Sequence, residues 1–362
     1  MSDETRAEPL TSEFSIRSSF GDYTIEIAVG AADRAGDAAV ALVDPIVGDK
    51  VAFPLERIIP VVGSEDSKTL AACEEVLVAM KHAGLARGEL VAAVGGGVVQ
   101  DVATLTASLY MRGVDWIYVP TTLMAMADSC IGGKSSINAG GVKNLVGNFH
   151  PPQRILVDPA FITTLPQRAI VSGLAEAVKI CFARGPESFE AFLAFDASIA
   201  PAADDDTVAL LSHVLQSKKW FVEVDELDKA ERQLLNFGHS FGHAWESACG
   251  FTVQHGIGVA AGMLAATRHP AAASNAATAR LEAYSLGLLR TVRDDVAAAL
   301  AVTDWDVFRA SLRSDKKNSR TALRLVLPAA EQSVRILDLP LDDEQLDIAQ
   351  HALRSALQEV VA

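Results

Sequence analysis

The feature that most constrains the fold is an alternation in the first half of the chain. Six short β-rich runs, "YTIEIAVG", "AVALVDP", "RIIPVVG", "LVAAVGGG", "WIYVPTT" and "RILVDP", are interleaved with helical patterns. Strands and helices in alternation build a largely parallel, open α/β sheet. Between two of these runs, "SKTLAACEEVLVAMKHAG" reads as an amphipathic helix. Leu70, Val76, Leu77 and Met80 fall near one face, and Gly84 stops it. After "LPQRAIVSGLAEAVKICFA" long Ala/Leu-rich helical segments take over, and late "LRLVLP" and "SVRILDL" read as a short strand pair. The expectation is an α/β nucleotide-binding domain over residues 1–160 and a helical domain over 161–362, with ligands favouring a cleft between two such domains.

Length and composition bound the rest. A chain of 362 residues has room for two domains, and half of its residues are hydrophobic. A formal charge of −15 argues against a general nucleic-acid or membrane-surface role, so an anionic ligand must meet a local basic cluster. Cys73, Cys130, Cys181 and Cys249 form no CxxC pair and read as reduced core thiols of a cytoplasmic protein. The opening "MSDETRAEPLTSE" lacks the features of a secretory signal, and "HGIGVAAGMLAA" is too short and glycine-broken to span a bilayer.

Three strand ends carry ligand chemistry. In "LVAAVGGGVVQD", Gly95, Gly96 and Gly97 let the backbone approach a ligand, and the following helix offers unpaired N–H groups to a phosphate. A lone GGG is as often only a tight turn. Asp44, at the end of "ALVD", suits a ribose hydroxyl pair, or else caps a helix. Thr121 and Thr122 end a third run. Three such ends on one sheet edge are stronger evidence than any one.

The stretch "MADSCIGGKSSINAGGVKNLVGNFHPP" is glycine-rich and polar between apolar runs. Lys134, Lys143 and Asn144 read either as solvated loop residues or as donors to a phosphorylated ligand, with Asp128 able to orient a lysine or a hydroxyl. In "LLNFGHSFGHAWE", His239 and His243 share one helix face. The residue after the first His is Ser240, so the zinc-protease motif is absent. Glu176 and His255 are the other candidate ligands. A Glu and two His leave positions open for substrate oxygen, but spacing does not say which two histidines bind. His82, His150, His213, His269 and His351 have no comparable company.

Taken together, "GGGVVQD", "MRGVDWIYVPTTLMAMADSCIGGK", "KNLVGNF", "GLAEAVK", "LLNFGHSFGHAWE", "HG" and "SDKKN" occur in the order seen in 3-dehydroquinate synthase and related sugar phosphate cyclases. The chain resembles that family from about Tyr23 to Pro328. The resemblance implies a Rossmann-like NAD-binding N-terminal α/β domain and an all-α metal-binding C-terminal domain. It implies that Glu176, His239 and His255 bind zinc, with cobalt a possible substitute, while His243 works on the substrate. It implies that NAD contacts Asp44, Glu65, Lys68 and Gly95 to Gly97, with Asp101, Thr121, Thr122, Asp128 and Lys143 lining the rest of the cofactor and active site. Lys134, Asn144, Lys179, Lys218, Arg232, Asn236, His243 and one of Lys316 or Lys317 match polar substrate-binding positions. Arg112 resembles an arginine that reaches into a neighbouring subunit's site, which implies a homodimer.

The implied reaction converts 3-deoxy-D-arabino-heptulosonate 7-phosphate to 3-dehydroquinate and phosphate. It proceeds by transient oxidation, phosphate elimination, re-reduction and aldol closure. Oxidation has a physical purpose, because a C–H beside a ketone is far more acidic than one beside a carbinol. Arg232, Lys218 and the "DKK" lysines suit the substrate carboxylate, which sedoheptulose 7-phosphate and glucose 6-phosphate lack. Cyclases of secondary metabolism, including those acting on an aminated analogue, and a silent NAD-binding regulator are the alternatives. Gln100, Ile257, Val142 and the stretch "DPIVGD" depart from the family's usual pattern.

Overall fold

The computed structural model describes residues 10–195, 202–330 and 334–362; the first nine residues of the polar opening stretch lie outside that range. The chain divides into two compact units, Met1–Leu165 with Pro201–Lys219, and Pro166–Ala200 with Trp220–Ala362. This differs from a single division near residue 160, because a later helical stretch belongs with the first unit.

The first unit is built on strands β1 (Ser12–Ile16), β2 (Tyr23–Ile27), β3 (Val40–Val43), β4 (Ile58–Pro60), β5 (Val91–Gly95), β6 (Trp116–Pro120), a hairpin of β7 (Ile137–Ala139) and β8 (Val142–Val146), and β9 (Arg154–Val157). The main sheet has the order β1-β2-β9-β6-β5-β3-β4. Only β1 pairs antiparallel; the other ladders are parallel. Every residue of β3, β5 and β6 is buried, as strands covered on both faces require. The six runs read as strands are all strands here, while β1 and the β7–β8 hairpin were missed. The chain order reverses between β3 and β5, so the crevice beyond their carboxyl ends is the expected ligand position.

Helix α1 (Leu70–His82) starts where the Thr69 hydroxyl accepts the Ala72 N–H at 3.1 Å. Its buried stripe is Cys73, Val76 and Met80. Leu70, placed on that face by periodicity, is exposed in the first turn. Gly84, at φ +79°, follows the helix end as expected. Helix α2 (Gly97–Leu109) follows the glycine turn.

The second unit is helical: α3 (Gln167–Arg184), α4 (Pro186–Ala194), the end of α5 (Asp205–Val224), α6 (His239–Ala248), α7 (His255–Thr267), α8 (Ala276–Arg290), α9 (Arg293–Ala301), α10 (Trp305–Arg313) and α11 (Asp343–Val361). Strands β10 (Ala322–Pro328) and β11 (Val334–Pro340) pair antiparallel, as read from "LRLVLP" and "SVRILDL". Helix α7 is buried continuously from Gly256 to Ala266 and is the centre of this core. Ile257 lies inside that run, so its apolar character fits its place.

Close helix contact here depends on glycines four residues apart. A Cβ on Gly242 would lie 2.7 Å from the Gly258 carbonyl oxygen, and one on Gly262 would lie 1.9 Å from that of Gly238. The pairs Gly238/Gly242 on the α6 side and Gly258/Gly262 on α7 therefore bring backbone against backbone. His239 and His243 each follow one of these glycines.

Candidate functional site

In the first unit, the glycine turn is shaped by two different needs. A Cβ on Gly95 would meet Val99 Cγ2 at 2.4 Å, and one on Gly96 would meet Thr122 Cγ2 at 3.0 Å. Packing inside the protein explains both. A Cβ on Gly97 would meet nothing closer than Ser129 Oγ at 3.8 Å, so packing does not require glycine there, and the space suits close approach of a phosphate. Gly96 caps α2 without a side-chain bond, leaving first-turn N–H groups to face an anion. These features fit a dinucleotide phosphate.

Asp44 lies directly after β3 and is buried. Its carboxylate accepts the Ile46 N–H at 3.2 Å, capping the short turn Pro45–Lys50. A Cβ on Gly63 would lie 2.1 Å from Asp44 Oδ2, so that glycine makes room for the acid. Lys68 is buried and pairs with Asp101 at 3.0 Å and with Glu65 at 3.7 Å. Burial outweighs Lys68 and moves the Asp101 carboxyl up to about 6. Glu65 also accepts from Asn138 Nδ2 at 3.0 Å, and Asn138 Oδ1 accepts the Asn144 N–H at 2.9 Å. Asn144 holds φ +55° at the exposed β8 strand beside exposed Lys143. Thr122 Oγ1 accepts the Ala125 N–H at 3.2 Å, while Thr121 N–H donates to the Gly95 carbonyl at 3.0 Å. Lys218 forms an ion pair with Asp128 and also reaches the Asp128 and Ile131 carbonyls. Lys134 stands 5.9 Å from the Phe149 ring centroid.

In the second unit, three imidazoles gather. The ring centroids of His239, His243 and His255 lie 5.1 to 5.2 Å apart, and each ring offers a nitrogen within 4.8 Å of the others. Gly256 sets the start of α7 against α3: its N–H donates to Ser172 Oγ at 2.9 Å, and a Cβ there would lie 2.1 Å from the Ser172 carbonyl oxygen. One turn along α3 from Ser172 is Glu176. Its Oε1 lies 3.2 Å from His255 Nε2 and 3.7 Å from His239 Nε2, and Lys179 pairs with Oε2. Both Glu176 oxygens are buried and neither meets hydrogen-bond geometry, despite these ionic neighbours. A buried carboxylate left this way is a ready ligand for a cation.

The second ring nitrogens separate the histidines. His239 Nδ1 donates to the Phe237 carbonyl at 3.2 Å, and His255 Nδ1 donates to Glu246 Oε1 at 3.0 Å. With Nδ1 so engaged, the Nε2 of each faces Glu176 and is the atom a cation would take, the outer-sphere pattern of metal-binding histidine. Among the described residues the His243 ring has no hydrogen-bond partner. Without a cation, burial would lower the His255 imidazole, but Glu176 and Glu246 override it and push it up to about 10. Burial and the charge on His255 bring His243 down to about 4, although its ring still reaches solvent. Burial, reinforced by Lys179, holds His239 well below its ordinary value. The donor set of one carboxylate and two or three imidazoles suits a divalent ion such as zinc.

Lys317 lies close enough for its charge to depress His239 and His243, and it pairs with Asp315 at 2.8 Å; Lys316 is exposed. Arg232 is buried and donates to the Glu226 carbonyl at 2.7 Å. Asn236 Nδ2 donates to the Gln233 carbonyl at 3.0 Å, within its own turn. Arg112 is exposed, at φ +72°. Two residues were missed by sequence reasoning. Glu246 lies seven residues after His239 on the α6 face, so helical spacing was a usable signal. Asp225 accepts the N–H groups of Lys229, Ala230 and Arg232 at 2.9, 2.7 and 3.1 Å and so shapes the turn before Arg232. No motif announces it.

The 3-dehydroquinate synthase N-terminal family pattern matches residues 58–172, and the 3-dehydroquinate synthase C-terminal pattern matches residues 173–318. The 3-dehydroquinate synthase of Rhodopseudomonas palustris is 39% identical over 277 residues, covering 74% of this chain and 72% of the relative. A 2-deoxy-scyllo-inosose synthase, solved with carbaglucose-6-phosphate, NAD+ and Co2+, has the same fold at a TM-score of 0.74 and 21% identity, covering 95% of this chain and 100% of the other. ValA, the 2-epi-5-epi-valiolone synthase of Streptomyces hygroscopicus subsp. jinggangensis, solved with NAD+ and Zn2+, gives a TM-score of 0.71 and 24% identity, covering 93% and 96%. With matched patterns running through both units from residue 58 to 318, the chain belongs to the 3-dehydroquinate synthase family.

Proposed function

We propose that this chain converts 3-deoxy-D-arabino-heptulosonate 7-phosphate to 3-dehydroquinate and phosphate, with NAD and a divalent cation, Zn2+ or Co2+, as resident cofactors. The observation that carries the reading is the convergence of His239 and His255 Nε2 on buried Glu176, whose oxygens meet no hydrogen-bond geometry, in a chain of this family. Sequence identity to 3-dehydroquinate synthases, well above that to the other cyclases, favours the carboxylated substrate.

When bound, the dinucleotide supplies a recyclable hydride acceptor and the cation a Lewis acid for vicinal hydroxyls. Glu176, His239 and His255 hold the cation, each imidazole fixed through its Nδ1. His243, whose ring has no hydrogen-bond partner among the described residues, carries protons to and from the substrate. Gly95 to Gly97, Asp44, Glu65, Lys68, Asp101, Thr121, Thr122 and Lys143 serve the dinucleotide. Lys134, Asn144 and Lys218, oriented by Asp128, donate to the substrate in the first unit. Lys179, Arg232, Asn236 and Lys317 do so in the second, where the guanidinium suits the carboxylate. We assign the same chain to the cytoplasm and to a homodimer in which Arg112 serves the neighbouring subunit. Among the described residues no helix is long and apolar enough to cross a membrane.

Phosphate release by purified, metal-loaded protein with NAD+ tests the reading, with the deoxyheptulosonate phosphate, sedoheptulose 7-phosphate and glucose 6-phosphate offered in parallel. Turnover of the first alone, without net NADH, is expected. Turnover of a neutral-headed sugar phosphate alone would show that Arg232 and its neighbours do not select a carboxylate.

A further inference from the structure

Gln100 is buried in the first turns of α2, and both ends of its amide are used. Nε2 donates to the Ser129 carbonyl at 2.6 Å, and Oε1 accepts from Ser129 Oγ at 2.6 Å. Two bonds to one residue, one to main chain and one to side chain, fix both the place and the orientation of Ser129.

Ser129 closes a single π-helical turn, Ala125–Ser129, whose Cys130 N–H donates back to the Ala125 carbonyl at 3.1 Å. Such turns are intrinsically poor in hydrogen bonding and need outside support. The residue before Ser129 is Asp128. Its carboxylate and carbonyl both hold Lys218 Nζ, and the Ile131 carbonyl accepts from the same ammonium at 3.3 Å. The stretch from Asp128 to Ile131 thus holds Lys218 through Asp128 and Ile131, while Gln100 holds the same stretch at Ser129. At its own backbone, Gln100 N–H donates to the Gly96 carbonyl at 3.1 Å, closing the glycine turn. The path from Gly96 through Gln100, Ser129 and Asp128 to Lys218 is continuous.

We propose that Gln100 and Ser129 form a positioning couple. It ties the turn that receives the dinucleotide to the Asp128–Lys218 pair that receives the sugar phosphate. The proposal rests on the functional reading above. Neither residue has a role in binding cofactor or substrate in that reading. Their effect passes through Asp128, whose carboxylate must keep one direction for Lys218 to stay aimed. A bond between two fixed elements adds orientation, and orientation is the part of catalysis most sensitive to small displacements.

The test uses the full-length, metal-loaded protein and compares wild type with Gln100→Ala, Ser129→Ala, the double variant and Ser129→Thr. Ser129→Ala is the mild probe, because it removes only the Oγ bond and leaves the Gln100 bond to the main chain. The readouts are kcat and KM for the deoxyheptulosonate phosphate, and NAD+ affinity by calorimetry. The expected loss is in kcat, about fivefold for Ser129→Ala and about tenfold or more for Gln100→Ala, the scale of one and two positioned hydrogen bonds. NAD+ affinity is expected to stay within about threefold, since the glycine turn itself is untouched. The double variant should be no worse than Gln100→Ala, because the two residues act as one unit. Ser129→Thr, which keeps the hydroxyl, should recover most of the lost kcat.

Folded variants with wild-type kcat, or losses that simply add in the double variant, would overturn the couple and leave Gln100 a packing residue. A wild-type protein that binds NAD+ but releases no phosphate from any sugar phosphate would instead overturn the functional reading, and the couple with it. These failures are distinct, because the first needs an active wild type and the second needs an inactive one.

Discussion

The His255 imidazole donates through Nδ1 to Glu246 Oε1 at 3.0 Å, while its Nε2 faces Glu176 at 3.2 Å. One histidine is held between two carboxylates, Glu246 and the proposed cation ligand Glu176. Gly258 leaves the space Glu246 needs, since a Cβ there would lie 2.6 Å from Oε1. Glu246→Gln should therefore weaken cation affinity about 10- to 100-fold, the usual cost of losing an outer-sphere carboxylate. Competition with a chromophoric chelator measures it. Unchanged affinity would reduce Glu246 to a surface acid.

The three histidines should separate by metal content. His239→Ala and His255→Ala are expected to purify with little bound cation. His243→Ala should retain about one ion per chain and lose turnover by roughly 10²- to 10⁴-fold, the range for a lost proton carrier. Elemental analysis beside activity decides it. A His243→Ala protein without metal would make that residue a ligand, which the shared reach of all three rings permits.

Gly262→Ala should be among the more damaging small substitutions in the second unit. Its methyl would sit 1.9 Å from the Gly238 carbonyl oxygen, so α6 and α7 must move apart. Overpacking of this kind costs about 1–3 kcal/mol or more, and displaced helices would also spread His239 from His255. Chemical denaturation and metal titration should both register the change. Gly287→Ala, where a Cβ meets nothing within 4 Å, is the matched control.

Much of this was legible in the sequence, and the reasons are specific. The buried parallel strands announce themselves because both faces must be apolar, so "LVAAVG" and "WIYVP" have no polar alternation to confuse them. β8 does not, because all but one of its residues are exposed and its hairpin depends on Gly140 and Gly141 at positive φ. The transfer of Pro201–Lys219 to the first unit is also invisible locally, since a helix carries no mark of which core it joins. Gln100 had no account from sequence, because its two bonds are made to a residue 29 positions away. Leu70 misled because it satisfies the period of α1 while lying exposed in its first turn.

Asp225 gives a pH-dependent prediction. Burial alone would raise its carboxyl, but three backbone N–H donors hold it below the ordinary value of 3.8. A depressed folded value means that its stabilisation is present above that ordinary value and is lost as pH falls through the folded one. Asp225→Asn should cost about 1–3 kcal/mol at neutral pH by leaving donors unmatched. The difference from wild type should shrink in acid below 3.8. Urea midpoints at pH 7 and pH 3 test this, and a pH-independent difference would contradict it.

The most direct test of the proposed chemistry follows one hydrogen. The deoxyheptulosonate phosphate would be labelled with deuterium at the carbinol that is transiently oxidised, and incubated with metal-loaded protein and excess NAD+. Product that keeps its deuterium, with one phosphate released per product and no label in the free nicotinamide pool, is the expected result. Deuterium accumulating in free NADH, with the substrate phosphate intact, would make the chain a simple polyol dehydrogenase and contradict the cyclase reading.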